Sequence, residues 1–448
     1  MSTNPNSQVL HNAPERRGLY VLLGALLIAI GWLTLMPVAP SQPLNPACIL
    51  CGDLGGADYI QNVILFAPLG LALGLIFPRQ AIGLVLPVLL SLAIELVQWR
   101  FIPGRSATLG DLLANSMGGG IGWLTGSFSD FLLLPHARRA RRLAAASGVV
   151  LVGLLGIAGR LLQPSVPLLV FFVQWLPNKV GYDVFAGKVD TLEVNGRFLK
   201  HGDAADPVYE PAIVGPERND VRAVVGATAR GSERIALIAR MANMSNERFM
   251  IGRDDQDFVY RARTHSADAG LRTPIVSLDD AFQLGGGWRS ADDTATIEIE
   301  SSVVQTEWRL KVRGPAGEAT RTVALSPATA WAFFMPRDIP LGAHYLWANA
   351  LFLLVITLPT MYWLAVSATS RTRRRDTMRG RAKTGVMLAV FLAALASAHI
   401  LWGGAAFHAV EWAGVAAAGV LGLASSRITR QARRRRPLPE DHDFTRYA

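Results

Sequence analysis

Apolar runs recur along the chain at about 18–37, 60–77, 81–99, 108–126, 143–159, 346–368, 384–402 and 406–425. Each approaches the roughly 20 residues a helix needs to cross about 30 Å of hydrocarbon, and 143–159 is the shortest. Between the fifth and sixth runs the pattern changes. Short strings alternate in polarity there: Arg234–Arg240, Phe249–Gly252, Phe258–Arg263, Thr294–Glu300, Trp308–Val312 and Thr320–Leu325. A period of two, punctuated by Gly, Asp and Asn, predicts an antiparallel β-sandwich. The fold class is therefore a polytopic α-helical membrane protein of about eight spans with an inserted all-β domain.

Some apolar runs carry a polar face. Ser91, Glu95 and Gln98 fall at i, i+4 and i+7, and Asp111, Asn115, Gly118 and Gly122 repeat that spacing on the next run. Each set lies on one side of a helix. Carboxylates facing lipid are costly, so such a face turns into a bundle or a cavity. Gly118, with Gly119, Gly120 and Gly122, permits close backbone approach. Pro68, beside Phe66 and Gly70, is expected to kink the second span and expose a backbone carbonyl.

Charge orients the spans. The formal net charge is +10, but the arginines cluster at 138–142, 371–383 and 427–436, beside apolar runs. That placement marks cytoplasmic loops and anionic-lipid contact, and argues against nucleic acid. Arg16 and Arg17 put the N-terminus inside, residues 38–59 lack Lys and Arg, and Arg79 sits in an inner turn. Arg100 and Arg105 alone fall on an outer loop. Eight spans then place both termini in the cytoplasm and the β domain outside, in a bacterial-type inner membrane. Asn62, Glu95, Gln98, Arg105, Asp111 and Asn115 should converge near the outer surface. There Arg105 would pair with Glu95 or Asp111, or grip a phosphate or carboxylate.

The expected organisation is a cytoplasmic N-terminus (1–17), a four-helix membrane domain (18–130), a fifth span (143–159) and a membrane-proximal connector (160–184). The external sandwich (185–340), three C-terminal spans (346–425) and a basic tail (426–448) follow.

The strings Asn62-x3-Phe66-x-Pro68-x-Gly70, Ser91-x3-Glu95-x2-Gln98 and Arg105-x5-Asp111-x3-Asn115-x2-Gly118 resemble the VanZ-like membrane family over about residues 18–130. The resemblance implies a small helical domain, linked through the founding members to glycopeptide-antibiotic (teicoplanin) resistance. Residues 233–264, with Phe249–Arg253 and Asp257–Arg261, resemble the laminin-G or concanavalin-like sandwich, extending over about 185–335. That likeness implies a jelly-roll that binds carbohydrate, often with calcium. No cofactor is expected otherwise.

Asp254, Asp255 and Asp257 are candidate calcium ligands with hard oxygens, although turn formation and solubility are the favoured explanation of them. Glu298 and Glu300 could share a strand face, but hydrolysis needs two carboxyls across a cleft, and their flanks lack the compact acidic signature of glucanases. Trp288, Trp308 and Tyr260 are candidate sugar-stacking rings. Cys48 and Cys51 suit a local disulfide outside the cytoplasm better than a zinc site, which usually takes four ligands. His399, His408 and Glu411 form a second polar set near the last two spans.

Three functions remain open. The first is recognition or handling of an envelope glycan, lipid-linked saccharide or phospholipid head group. The second is a membrane enzyme acting on such a lipid, with Glu95 as acid or base and Asp111 beside it. The third is an assembly role with envelope proteins as partners. For the topology, reporters fused at Gly270 and Asp376 are expected on opposite membrane faces. Labelling on the same face would refute the eight-span arrangement.

Overall fold

A computed structural model describes residues 13–37, 45–103, 105, 107–215, 219–228, 231–244, 246–286, 294–369 and 374–435. The chain divides into two compact units, residues 1–135 with 429–448, and residues 136–428. Each unit is treated by itself.

Among the described residues there are eight long helices: α1 (Ala13–Leu35), α2 (Gly55–Ile76), α3 (Ala81–Phe101), α4 (Leu109–Ser127), α5 (Ala137–Leu161), α6 (Tyr345–Thr369), α7 (Arg374–Trp402) and α8 (Ala409–Arg435). Among the described residues seven helices are long and apolar enough to cross a membrane; α4 falls short of that mark. Six glycines and an Asp–Asn face within nineteen residues make the difference. The eight-span expectation is corrected to that extent. Two further boundaries move. Helix α7 begins inside the arginine-rich stretch read as a loop, and α8 runs past residue 425 into the basic tail.

In the first unit α2 and α4 lie parallel, because contacts rise together along both chains. A Cβ on Gly118 would overlap the Val63 carbonyl, one on Gly122 the Ala67 carbonyl, and one on Gly126 the Leu71 carbonyl. From the other side Gly70 meets the Gly119 carbonyl and Gly74 that of Trp123. Small residues on both helices let the backbones touch, which is how helices associate where lipid removes the hydrophobic drive. Helix α3 runs antiparallel to both. Its Pro87 ring packs on Gly119, and Gly83 faces the Trp123 indole. Ile30, Phe66, Leu69, Leu73 and Ile94 fill the space between α1, α2 and α3. Pro68 lies on the exposed side of α2, which remains one helix from Gly55 to Ile76.

The second unit contains a β-sandwich. Its strands are β1 (Phe171–Trp175), β2 (Asp183–Val184), β3 (Lys188–Val194), β4 (Arg197–Phe198), β5 (Ala204–Ala205), β6 (Asn219–Thr228) and β7 (Ala236–Asn243). The remainder are β8 (Asn246–Asp254), β9 (Asp257–Ala262), β10 (Ile275–Leu278), β11 (Thr294–Val304), β12 (Glu307–Gly314), β13 (Gly317–Ala324) and β14 (Pro340–Leu341). One sheet runs β14-β10-β9-β8-β7-β1-β5 with β2 beside β7; the other runs β13-β12-β11-β6-β3-β4. Asn195-Gly196, both at positive φ, closes the tight β3–β4 turn as two-residue hairpins require. Tyr260 and Trp308 meet edge to face at 5.5 Å across the sandwich, and both are fully buried.

The sandwich starts earlier than the sequence pattern indicated. Strands β1 and β2 fall within residues 160–184, read as a connector, and β1 pairs with β5 and β7. Strand β6, central to its sheet, was also missed: Val-Arg-Ala-Val-Val-Gly-Ala carries too little alternation. Over the large sheet Glu247 accepts bonds from Arg261 and Lys179, while Asp338 accepts from Arg261, Arg272 and Tyr182. Burial alone would raise the Glu247 carboxyl, but Arg261 and Lys179 hold it below its ordinary value. In the helices of this unit, Leu151, Leu155, Leu353, Met361, Phe391, Leu395 and Val415 form a shared apolar core.

The α2–α4 contact makes a sharp prediction. A Cβ at Gly120 would meet only Leu84 Cδ1, at 3.6 Å. Gly122→Ala should therefore lower stability by about 1–3 kcal/mol or prevent assembly, whereas Gly120→Ala should be neutral. Thermal unfolding of both variants in detergent measures the difference.

Candidate functional site

Thr108 starts the site. It caps α4 by accepting the Asp111 N–H on Oγ1 at 3.1 Å, and its hydroxyl donates to Asp111 Oδ2 at 2.8 Å. Asp111 Oδ1 accepts from Asn62 Nδ2 at 2.6 Å, joining α2 to α4. The Thr108 backbone N–H donates to Glu95 Oε2 at 3.2 Å, joining α3. Further along the same faces Asn115 Nδ2 donates to Ser91 Oγ at 3.0 Å, and both residues are buried. Gln98 Nε2 reaches the Thr34 carbonyl of α1 at 2.8 Å.

Six of the seven expected pocket residues thus belong to contacts linking neighbouring helices. Arg105 takes a different place. Its Nε and Nη2 donate to the carbonyls of Met36 and Leu33 at 3.4 and 3.3 Å, at the end of α1. Among the described residues no ion pair joins Arg105 to Glu95 or Asp111. The two acids also differ. Both Asp111 oxygens are engaged, whereas Glu95, 7% exposed, has one oxygen without a hydrogen bond from any described residue. The arrangement can hold a proton or a polar group at Glu95, while Asp111 acts as a bracket.

Sequence reasoning missed Thr108 and Thr34. The first had a legible signal, since Thr108-Leu-Gly-Asp111 is a Thr-x-x-Asp capping pattern ahead of an apolar run. The second had none, because only the fold brings the Thr34 carbonyl to Gln98.

Residues 9–130 match the VanZ/LLP1 family model. The VanZ/LLP1 match contains every residue of the polar network and every glycine of the α2–α4 contact, and it covers none of the β-sandwich. No curated protein and no solved structure matches the chain. The laminin-G or concanavalin resemblance therefore has no family match behind it; what the structure contains is the sandwich.

Elsewhere, Cys48 and Cys51 are joined as a disulfide ahead of α2. Asp254, Asp255 and Asp257 build the β8–β9 turn, with Asp255 at positive φ and Asp257 accepting the Asp280 N–H at 2.9 Å. Burial raises the Asp254 and Asp257 carboxyls. Among the described residues no cluster of three or more His, Cys, Asp or Glu side chains could hold a metal ion, so the turn offers calcium no such ligand set. Glu298 and Glu300 do share the outer face of β11, but both pair with Arg222, and Glu298 also with Arg313. Glu300, but not Glu298, lines an open cleft of about 620 Å³ together with Glu193, Asp220, Arg222, Arg309 and Lys311. Tyr260 and Trp308 are core residues, and Trp288 lies outside the described residues.

Glu411 is fully buried and binds Ser326 Oγ, Asn349 Nδ2 and the His408 backbone N–H; His399 is not one of its partners. That polar set fastens α6 and α8 to the segment after β13.

The capping hydroxyl is testable. Thr108→Val should cost about 1–2 kcal/mol of stability, and Thr108→Ser should restore most of it. Equal thermal midpoints for wild type and Thr108→Val would show that the cap does not support the network.

Proposed function

We propose that the VanZ/LLP1-matching region holds the polar head of an envelope lipid or lipid-linked saccharide, and that the β-sandwich, by itself, binds an envelope glycan on its polar outer face. The observation that carries this reading is the Glu95 carboxylate. It sits among apolar helices, is fixed by one bond from Thr108, and keeps one oxygen for a hydroxyl or amine donor. A buried acid on a membrane helix is costly unless it has a partner or a task. Asn62, Asp111 and Thr108 hold the surrounding helices, and Arg105 clamps the end of α1. In this reading the protein binds without reacting, at the outer face of a bacterial inner membrane, and calcium is not required.

The same free oxygen favours a second reading, in which Glu95 moves a proton in a lipid-modifying reaction. An assembly role would need neither. Glu95→Gln separates them because it preserves shape and removes proton transfer. Envelope lipids and glycans of a deletion strain, complemented by wild type or Glu95→Gln at matched expression, are the readout. The binding reading expects a changed glycolipid profile that Glu95→Gln still corrects. Correction by wild type alone would favour catalysis, and an unchanged profile throughout would favour assembly.

A further inference from the structure

The β-sandwich encloses a positive charge that no side chain among the described residues neutralises. Arg248 occupies a bulge in β8, where the register with β7 shifts between Glu247, opposite Ala242, and Phe249, opposite Met241. A bulge re-aims the side chain it carries. Arg248 is 1% exposed. Its Nη2 donates to the Gly215 carbonyl at 2.8 Å, whereas Nε and Nη1 are buried without any hydrogen-bond partner. Among the described residues no carboxylate pairs with it.

A second guanidinium lies close by. Arg263, just past β9, donates its backbone N–H to the Arg248 carbonyl at 2.9 Å. Its side chain is buried, pairs with Asp268 through Nη2 at 2.8 Å, and leaves its own Nε buried and unpartnered. Asn219 is tied to Tyr260, the ring that interacts with Arg248. It donates Nδ2 to the Tyr260 hydroxyl at 2.8 Å, and its Oδ1 is unpartnered. Burial, with repulsion from Arg263, pushes the Arg248 guanidinium down to about 10, against an opposing effect of Tyr260. That value still leaves it charged at neutral pH.

Among the described residues these two guanidiniums have one acid between them, Asp268. Desolvating the second without a counter-ion is strongly unfavourable. An internal water can satisfy an N–H but cannot balance the charge. The planar N–H fork of arginine fits an oxyanion better than any other small group. We infer that Arg248 and Arg263 hold a small inorganic oxyanion of the phosphate or sulfate type inside the sandwich, with their unpaired N–H groups as donors. Burial of both side chains favours a free ion over the phosphoryl group of a lipid. This site is separate from the membrane network and does not rest on the function proposed above. An ion bound only by the folded domain stabilises it by mass action.

The test uses full-length protein exchanged into chloride in detergent. Thermal midpoints are followed as phosphate or sulfate replaces chloride at constant ionic strength, and anions released on denaturation are measured by ion chromatography. The expected result is a saturable rise with phosphate or sulfate, or about one oxyanion per chain retained through exchange. Arg248→Met should abolish that response, and Arg263→Gln should weaken apparent affinity by about tenfold. Should Arg248→Met fail to fold, Arg263→Gln and the retained-ion measurement decide. Three outcomes overturn the inference: neither a rise nor a retained ion in wild type, an equal rise in wild type and the variants, or a shift with phosphatidic-acid vesicles but not with inorganic phosphate. The last would assign the site to a lipid phosphoryl group.

Discussion

The backbone contact between α2 and α4 is the constraint on which the membrane unit rests. In an apolar solvent, burying leucine against leucine gains little over leaving it against lipid. Contact has to come from close approach, and close approach requires the absence of side chains. Gly70 and Gly74 on one helix and Gly118, Gly122 and Gly126 on the other supply that absence at one-turn intervals. Because the helices are parallel, their first turns meet at the same end, and Asn62 comes within hydrogen-bond distance of Asp111.

The polar network follows from that register. Once α4 is fixed against α2, the Thr108 cap faces α3, and its backbone N–H finds Glu95. Ser91 meets Asn115 one turn further along. Buried polar groups need partners, and here each helix supplies the partner of the next. The two acids diverge in consequence. Asp111 is consumed by the architecture, whereas Glu95 keeps a free oxygen.

The β-sandwich handles charge differently on its two sides. Over the large sheet, Glu247 and Asp338 are enclosed by arginines and a lysine in a dense set of ion pairs. Towards its interior, Arg248 has no carboxylate partner among the described residues. A charge left alone in such a place is the exception that a packed core ordinarily excludes.

Much of this architecture was legible in the sequence. Hydrophobic length marks the membrane helices, since lipid demands a fixed number of apolar residues, and the spacing of Ser91, Glu95, Asp111 and Asn115 marks the inward faces. Alternation found the long hairpins around β8, β9, β11, β12 and β13. Three things awaited the tertiary structure. Strand β1 hid in an apolar run, because a strand apolar on both sides carries no period. Arg105 was placed beside the acids by proximity along the chain, yet it binds the Leu33 and Met36 carbonyls at the end of α1, 72 and 69 residues away. The isolation of Arg248 is invisible in sequence, where an arginine on an alternating strand reads as a solvent-facing charge. Local pattern determines which elements form and which faces they bury; which polar atom finds a partner depends on how those faces meet.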